Sequence, residues 1–255
     1  MPRFVEAARH AGVAAARALA GVERWLLPPA CLLCDGQIPA SEGDALICGL
    51  CRSRWRPVSG PWCGRCGQPS LAGVECRLCS TWPAGLERVR SAVWLAETAR
   101  LAVHHLKYQG WWRIAEALAE AMCGLEPLTG QVSLIPVPLG ARRLRERGYN
   151  QSEQIAAAVG RRMGLAVRAD LLVRVRETTT QTALTPEGRQ ANVLRAFRAS
   201  GAAGLRCVLV DDVFTTGANL AEAGAALARG GADSVEAVTF ARAVEMVGQP
   251  SAESR

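Results

Sequence analysis

The sequence predicts an α/β protein in which a parallel, doubly wound sheet follows a small cysteine-rich module. From residue 86 onward, short apolar runs alternate with helical segments of about ten residues, which is typical of parallel sheets with crossover helices. Ahead of that point, eight of the ten cysteines fall into four C-x-x-C pairs. Of the 255 residues, 49% are apolar and 21% are charged, which excludes a disordered chain and allows a core of ordinary size.

The chain divides into four predicted parts. Residues 1–30 are expected to form an Ala-rich N-terminal helix, and residues 31–80 hold the four cysteine pairs. After a hinge, residues 86–247 form the α/β domain, and residues 248–255 are a tail. Charged residues interrupt every apolar run before it reaches the roughly 20 residues of a membrane span. We therefore expect no membrane span, no signal peptide and a cytoplasmic protein.

Within the α/β domain, apolar runs bounded by turn residues predict strands, and longer periodic segments predict helices. The predicted strands are residues 92–96, 132–137, 171–175, 207–210 and 235–240. The predicted helices are residues 98–108, 113–125, 151–163 and 220–229. The polar stretch 178–192 is expected to be a loop. In a sheet of this kind, a ligand binds at the carboxyl ends of the strands.

The four cysteine pairs predict two structural zinc sites. Two residues between thiols let a tight turn present both sulfurs to one tetrahedral ion at about 2.3 Å, so four such turns make two sites. The segment has few large aliphatic residues, and a structural Zn²⁺ contributes roughly 10–16 kcal/mol of apparent binding energy in place of a core. The expected ligands are Cys31, Cys34, Cys48, Cys51, Cys63, Cys66, Cys76 and Cys79.

Disulfides and redox-active dithiols are the alternatives for these cysteines. Disulfides need an oxidising compartment, and a redox C-x-x-C would be a single exposed pair near a βαβ unit. We expect sequential ribbons, with the first four ligands in one site and the last four in the other, although the sequence leaves a cross-braced pairing open. Cys123 and Cys207 lie in apolar segments and are expected to fill the core.

One segment combines an apolar strand, two carboxylates and a Thr-rich turn that opens a helix. Unpaired N–H groups at the helix start, with the positive end of the helix dipole, suit a phosphate. Thr215 and Thr216 add hydroxyl donors, and Gly217 allows close backbone approach. Asp211 and Asp212 match the vicinal hydroxyls of a ribose and favour an oxocarbenium-like transition state. A helix cap with incidental acidic residues is the alternative.

This segment resembles the 5-phosphoribosyl-1-pyrophosphate (PRPP) signature of type I phosphoribosyltransferases, which is an apolar strand, Asp-Asp, two residues and Thr-Thr-Gly. The resemblance implies a phosphoribosyltransferase-type sheet, Mg²⁺ bound with PRPP, and catalytic ribose contacts from Asp211 and Asp212. Asn219 stands where the family usually has Thr or Ser, and its amide can still donate to a phosphate. The implied grip on the 5-phosphate consists of Thr215, Thr216, Gly217, Ala218 and Asn219.

With cysteine ribbons ahead of such a domain, the chain resembles the ComF family, which includes competence proteins and GntX-like proteins. Supporting stretches are residues 105–108, 135–138, 147–151 and 181–197. The resemblance implies a role in DNA uptake for natural transformation, acting on single-stranded DNA with a helicase or other competence partner. An active phosphoribosyltransferase of nucleotide metabolism, with an unidentified acceptor, is the alternative. A PRPP sensor without chemistry is a third hypothesis.

Basic and aromatic residues outside the turn are further candidates. Arg142, Arg143 and Arg147 follow the strand whose loop holds pyrophosphate in the resembled fold, and guanidinium groups make forked contacts with phosphate oxygens. Lys107, the single lysine among 30 basic residues, can reach a phosphate as a point charge. A solvated basic surface is the alternative for all four.

For each of the remaining candidates, a packing or surface role is the alternative. Gln181 and Arg189 lie in a stretch that we expect to close over PRPP. His104 and His105 are candidate acid-base groups, and Trp111 and Trp112 are candidate stacking platforms for bases. All six residues lie outside the segment with the acidic pair and the Thr-rich turn. The formal net charge of +7 favours anionic partners such as phosphates or nucleic acid.

Overall fold

The structure is a computed structural model that describes residues 29–69, 76–176 and 195–243. Almost all of the expected N-terminal helix, the 178–192 loop with Gln181 and Arg189, and the tail lie outside the described residues. The chain divides into two compact units, and the boundary follows Arg54. The larger unit therefore contains one of the two cysteine clusters together with the sheet. Among the described helices, none is long and apolar enough to cross a bilayer.

The secondary structure follows the predicted alternation of strands and helices. The strands of the described residues are β1 (Arg88–Trp94), β2 (Ser133–Pro136), β3 (Ala166–Val167), β4 (Leu172–Arg174), β5 (Phe197–Ala199), β6 (Arg206–Phe214) and β7 (Ser234–Arg242). The α-helices are α1 (Gly49–Ser53), α2 (Glu97–Tyr108), α3 (Ala115–Met122), α4 (Ala141–Arg147), α5 (Gln151–Met163) and α6 (Ala218–Arg229).

Five strands form one parallel sheet in the order β1-β7-β6-β2-β3. The central strand β6 pairs with β7 on one side and with β2 on the other, and its register with β2 places Cys207 opposite Ser133. Strands β4 and β5 form a separate antiparallel pair. The parallel α/β fold class that the sequence predicts is therefore confirmed.

Helices cover both faces of the sheet because successive strand residues point to opposite faces. On one face, Ile135 and Leu209 belong to a buried cluster with Leu220 of α6. On the other face, α5 lies so close to the sheet that a Cβ built at Gly160 would be only 2.8 Å from Val167 Cγ2 of β3. The central strands are apolar on both faces, which explains why they occur as continuous apolar runs in the sequence.

Several predicted boundaries were wrong. Strand β1 covers Arg88–Trp94 rather than 92–96, because its half-buried arginines alternate with buried residues and break up the apolar run. Strand β6 continues past residue 210 through both aspartates. The helix predicted at 113–125 is a 3-10 turn at Trp112–Ile114 followed by the shorter α3.

Three short elements were missed by the sequence interpretation. The Arg-rich segment that we treated as a loop is the helix α4, which has no buried residue and therefore no apolar periodicity. Strands β3 and β5 have two and three residues, respectively, and are too short for a period-2 pattern to be visible. Helix α5, by contrast, has the predicted bounds, since a cap at Asn150 and a left-handed Gly164 mark its two ends.

Candidate functional site

A cavity of about 390 Å³ lies at the carboxyl ends of β6 and β2. This volume is within the range of small-molecule sites. Two acidic residues of β6, Asp211 and Asp212, form one part of its lining. The basic residues that line it are Arg100, Lys107, Arg143, Arg147 and Arg174. The cavity is therefore suited to a ligand that carries both negative charge and hydroxyl groups.

The two aspartates are held by different partners. Lys107 Nζ lies 2.9 Å from Asp212 Oδ1, and the Asp212 side chain is only 4% exposed. Ser152 Oγ donates a hydrogen bond to Asp211 Oδ1 at 2.7 Å, and the Asp212 backbone N–H donates to the same oxygen at 3.0 Å. Asp212 Oδ2 is buried and has no hydrogen-bond partner among the described residues. Since such an oxygen costs about 1–3 kcal/mol when unpaired, a bound hydroxyl or cation would stabilise it.

The surroundings of Asp211 shift its protonation equilibrium. Burial raises the pKa of Asp211 to about 7, and the charge of Asp212 acts in the same direction. The Ser152 hydroxyl and the Lys107 ammonium group lower the pKa but do not cancel the rise. Asp211 can therefore gain or lose a proton near neutral pH.

The turn of residues 215–219, which we call the 215–219 turn, connects β6 to the N-terminus of α6. Gly217 caps the helix in the left-handed region, at φ 73°. A Cβ at this position would lie 2.2 Å from Trp82 Cζ2, so only glycine fits. Thr215 and Asn219 line the main cavity, and the turn also surrounds an adjoining niche of about 30 Å³ that includes Thr216 and Ala218. The structure thus brings all five predicted phosphate-binding residues to one place.

Helix α4 presents its arginines in two directions. Arg143 and Arg147 line the cavity. Arg142 is 79% exposed, and its Nε donates to Glu146 Oε1 at 2.8 Å. Arg147 Nη1 donates to Gln151 Oε1 at 2.8 Å. Two of the three predicted arginines and Lys107 therefore reach the cavity, whereas Arg142 faces away from it.

The aromatic and histidine candidates differ in where the structure places them. His104 lines the cavity, with its ring centroid 5.2 Å from that of Tyr108. The Arg147 guanidinium lies 5.1 Å from the centre of the same tyrosine ring. Trp111 and Trp112 are exposed. Of the two histidines, His105 is not part of the lining.

Among the lining residues that the sequence interpretation missed are the polar residues Arg100, Ser152 and Arg174. Arg100, His104 and Lys107 follow the i, i+4, i+7 spacing of one helical face, so the position of Lys107 was a signal for Arg100. Ser152 had a weaker signal, its position two residues after the helix cap. Nothing in the local sequence distinguishes Arg174 from other arginines.

The structure brings the eight paired cysteines together in the two sequential groups that we expected, the first four in one group and the last four in the other. The four sulfurs of each group lie within 4.8 Å of one another. The Sγ–Sγ distance is 3.9 Å for Cys34–Cys48, 3.7 Å for Cys63–Cys79 and 3.5 Å for Cys66–Cys76. Four Zn–S bonds of about 2.3 Å correspond to tetrahedral edges of about 3.8 Å. Both groups therefore fit structural Zn²⁺, and the cysteines are free of disulfides.

Backbone amides favour the metal-binding thiolate at one cysteine of each cluster. Burial acts to raise the pKa of Cys31, but N–H donors from Cys48 and Leu33, at 3.3 and 3.4 Å, lower it to about 7. In the second cluster, burial again acts to raise the pKa of Cys63, and backbone donors lower it to about 7. Because the thiolate is the ligand form, one thiol of each cluster is prepared for metal binding by its own C-x-x-C turn, or knuckle. Burial instead raises the pKa of Cys48, Cys51, Cys66 and Cys79, so these thiols would lose their protons when a metal binds.

Fold and sites together define a class, a zinc-ribbon protein with a parallel α/β domain whose central strand ends in an acidic pair. Residues 22–80 match the double zinc ribbon domain.

The chain is 34% identical over 221 residues to the DNA utilization protein YhgH of Salmonella typhimurium, covering 82% of this chain and 95% of that protein. It is 27% identical to the competence protein ComFC of Bacillus subtilis (83% and 94% covered) and 26% identical to the competence protein F of Haemophilus influenzae (84% and 96%). The chain belongs to this family, the ComF family.

Proposed function

We propose that this protein binds PRPP with Mg²⁺ in the cavity and acts in DNA uptake for natural transformation by handling single-stranded DNA in the cytoplasm. One observation carries the proposal. At the end of β6, Asp211 and Asp212 lie beside the 215–219 turn and share a cavity with Arg143 and Arg147. This arrangement offers hydrogen-bond acceptors for sugar hydroxyls together with two groups of residues that donate hydrogen bonds to phosphate oxygens.

Each part of PRPP has a chemically matched partner in this arrangement. The ribose hydroxyls can donate hydrogen bonds to the carboxylates of Asp211 and Asp212. The 5-phosphate can accept hydrogen bonds from the N–H groups of the 215–219 turn. The pyrophosphate fits the positive charges of Arg143, Arg147 and Lys107, which line the same cavity. Mg²⁺ supplies charge neutralisation at the pyrophosphate, and carboxylate oxygens are the ligand type that it takes.

Exposed aromatic residues at and just after the C-terminal end of α2 support the nucleic-acid part of the proposal. Tyr108, which lines the cavity, is 66% exposed, Trp111 41% and Trp112 51%, and the Arg147 guanidinium lies 5.1 Å from the centre of the Tyr108 ring. Stacking of bases on such rings is worth about 1–3 kcal/mol per base, while arginines contact the phosphates. The names of the competence relatives agree with this role, in which a helicase or another competence protein is the expected partner.

Calorimetric titration of PRPP with Mg²⁺ tests the first part, using protein with verified zinc content. We expect micromolar binding by the wild type and at least a tenfold loss in Asp211→Asn/Asp212→Asn. Asp170→Asn is the matched control, because Asp170 is 64% exposed and pairs with Arg168 away from the cavity. Absence of binding by folded, zinc-loaded wild type would overturn the PRPP proposal.

Fluorescence anisotropy with a labelled single-stranded oligonucleotide tests the second part. We expect binding that weakens steeply between about 50 and about 200 mM salt, because phosphate contacts release counterions. Trp111→Ala/Trp112→Ala should bind several-fold more weakly. Leu101→Ala removes a comparably exposed apolar side chain without a ring and should bind like the wild type. Binding that is absent or insensitive to salt would contradict the DNA role.

Phosphoribosyl transfer is a second candidate function, and the pKa of Asp211 favours it. In this reaction an acceptor nucleophile forms a bond to the anomeric carbon, and the bond from that carbon to pyrophosphate breaks, with the electron pair leaving on pyrophosphate. The acceptor proton passes to a base, for which a carboxylate with a pKa of about 7 is suitable. Pyrophosphate release in a panel of bases and amines would support transfer, and its complete absence would leave PRPP binding without chemistry.

A further inference from the structure

Trp82, which follows the last cysteine pair, packs against the 215–219 turn. Its side chain is buried, and Cζ2 and Cη2 lie 2.2 and 2.7 Å from the position that a Cβ of Gly217 would occupy. The indole ring also contacts Phe214, with ring centroids 6.0 Å apart. The indole thus fills the space beside Gly217, so that its position determines how far the backbone of the turn can move away from the cavity.

Arg65 connects this indole to the second cysteine cluster. Arg65 lies inside one of the C-x-x-C knuckles, and its Cζ is 5.6 Å from the centre of the Trp82 ring. The guanidinium donates to three carbonyl oxygens, those of Cys79 at 3.1 Å, Pro83 at 2.9 Å and Leu86 at 3.0 Å. One side chain therefore links both knuckles of the cluster to the segments before and after Trp82.

Arg242 forms a second connection at the other end of the turn. This residue ends β7, is only 1% exposed, and donates through Nη2 to the Cys66 carbonyl oxygen. Its Cζ lies 3.9 Å from the centre of the Phe214 ring, and Phe214 is the residue of β6 that precedes the turn. A Cβ at Gly67 would be 2.9 Å from the Val89 carbonyl oxygen, so the knuckle backbone itself lies against the sheet.

We propose that the second zinc ribbon positions the phosphate-binding turn, with Trp82 as the positioning residue that links the two. Metal holds the knuckles in the shape that gives Arg65 its carbonyl acceptors, and Arg65 in turn holds the indole against Gly217. The turn is then preorganised for a phosphate, which lowers the entropic cost of binding. The inference concerns the site proposed above for PRPP and rests on that function.

Binding measurements with three tryptophan variants test this role. We expect Trp82→Ala, at unchanged zinc content, to bind PRPP with Mg²⁺ and inorganic phosphate at least tenfold more weakly than the wild type. Trp82→Phe keeps a ring beside Gly217 and should restore most of the affinity. Trp62→Ala is the matched control, because Trp62 belongs to the same ribbon but is exposed and stacks on Arg90. Equal affinity of Trp82→Ala and the wild type would overturn the inference.

Fluorine NMR of the wild-type protein labelled with 5-fluorotryptophan provides a readout that does not depend on the stability of Trp82→Ala. The Trp82 resonance is identified by its absence in Trp82→Phe. We expect it to shift when inorganic phosphate or PRPP with Mg²⁺ is added, while the Trp62 resonance stays in place. If the wild type binds these ligands and the Trp82 resonance does not move, the positioning role is wrong. If the wild type binds neither ligand, the proposed function fails and this inference fails with it.

Discussion

At the scale of single residues, two adjacent aspartates differ because their neighbours differ. Asp212 forms an ion pair with Lys107 and is almost fully buried. Asp211 instead accepts from the neutral hydroxyl of Ser152, and burial followed by the charge of Asp212 raises its pKa to about 7. A carboxyl group with this pKa loses its charge and part of its acceptor capacity when the pH falls below neutral, since one oxygen then carries a proton.

This difference predicts a pH dependence of ligand binding. Because the pKa of Asp211 is raised, the carboxylate that accepts ribose hydroxyls or Mg²⁺ is present above pH 7 and is lost as the pH falls toward 6. We expect the affinity for PRPP with Mg²⁺ to rise between about pH 6 and about pH 8, by at most about tenfold per pH unit. Titration calorimetry in matched buffers measures this change.

Asp211→Asn is the control for the pH profile. The phosphates of the ligand also titrate near pH 6, and their contribution remains in the variant. The variant should therefore bind more weakly at pH 8 and show a flatter profile. Superimposable profiles for the wild type and Asp211→Asn would show that Asp211 does not titrate in this range.

At the scale of secondary-structure elements, the start of α5 links the sheet to the cavity. The Asn150 side chain accepts from the Ser152 N–H at 3.1 Å and caps the helix. Its amide nitrogen donates to the Val137 carbonyl oxygen, also at 3.1 Å, just beyond the end of β2. The cap thus fixes the first turn of α5 to the strand end, and this first turn carries Ser152, the partner of Asp211.

Removing this cap should destabilise the protein and weaken the site. We expect Asn150→Ala to lower the free energy of unfolding by about 1–2 kcal/mol, because a buried cap is lost and the Val137 oxygen loses its donor. Urea unfolding measures the change. Glu153→Gln in the same turn is the control, since Glu153 is exposed and contributes only about 0.3–1 kcal/mol through the helix dipole. A loss no larger than that of the control would show that the cap is not stabilising.

At the scale of the whole molecule, the two cysteine clusters belong to different compact units. The first cluster lies before the boundary at Arg54, and the second lies in the unit that contains the sheet. Cys66 and Cys79 of the second cluster belong to the same buried cluster as Leu209 and Ala237 of the central strands. The second cluster is therefore part of the core of the α/β unit.

Loss of each metal should consequently have a different effect. We expect two Zn²⁺ per chain in the wild type and one in either Cys31→Ser/Cys34→Ser or Cys63→Ser/Cys66→Ser. Only the second variant should lower the melting temperature of the α/β unit, by more than about 5 °C, because a structural metal contributes several kcal/mol. Elemental analysis gives the zinc content. The rate of hydrogen exchange in peptides from β6 and β7 reports how readily the sheet opens. Equal exchange rates in both variants would contradict the conclusion that only the second cluster is part of the core of the α/β unit.

The sequence by itself determined the features that depend on short stretches of chain. These are the C-x-x-C knuckles, the apolar strands β6 and β7, the bounds of α5, and the Asp-Asp and Thr-Thr-Gly motif, whose backbone and side-chain chemistry is local. Helix α4 was missed because its residues are all at least partly exposed, so that no apolar periodicity marks it. The position of such a helix depends on the parts of the fold around it and cannot be found from a pattern of apolar residues in its own sequence.

Only the tertiary structure decided which distant residues meet. Lys107 pairs with Asp212, Ser152 with Asp211, and Trp82 fills the space beside Gly217. These partners are between 59 and more than 100 residues apart in the chain and meet because the sheet has the order β1-β7-β6-β2-β3. Periodicity shows which face of an element is buried but not which element covers it. For that reason the sequence indicated the chemistry of the cavity, whereas its charge pairing and its connection to the second zinc ribbon followed from the packing of the sheet.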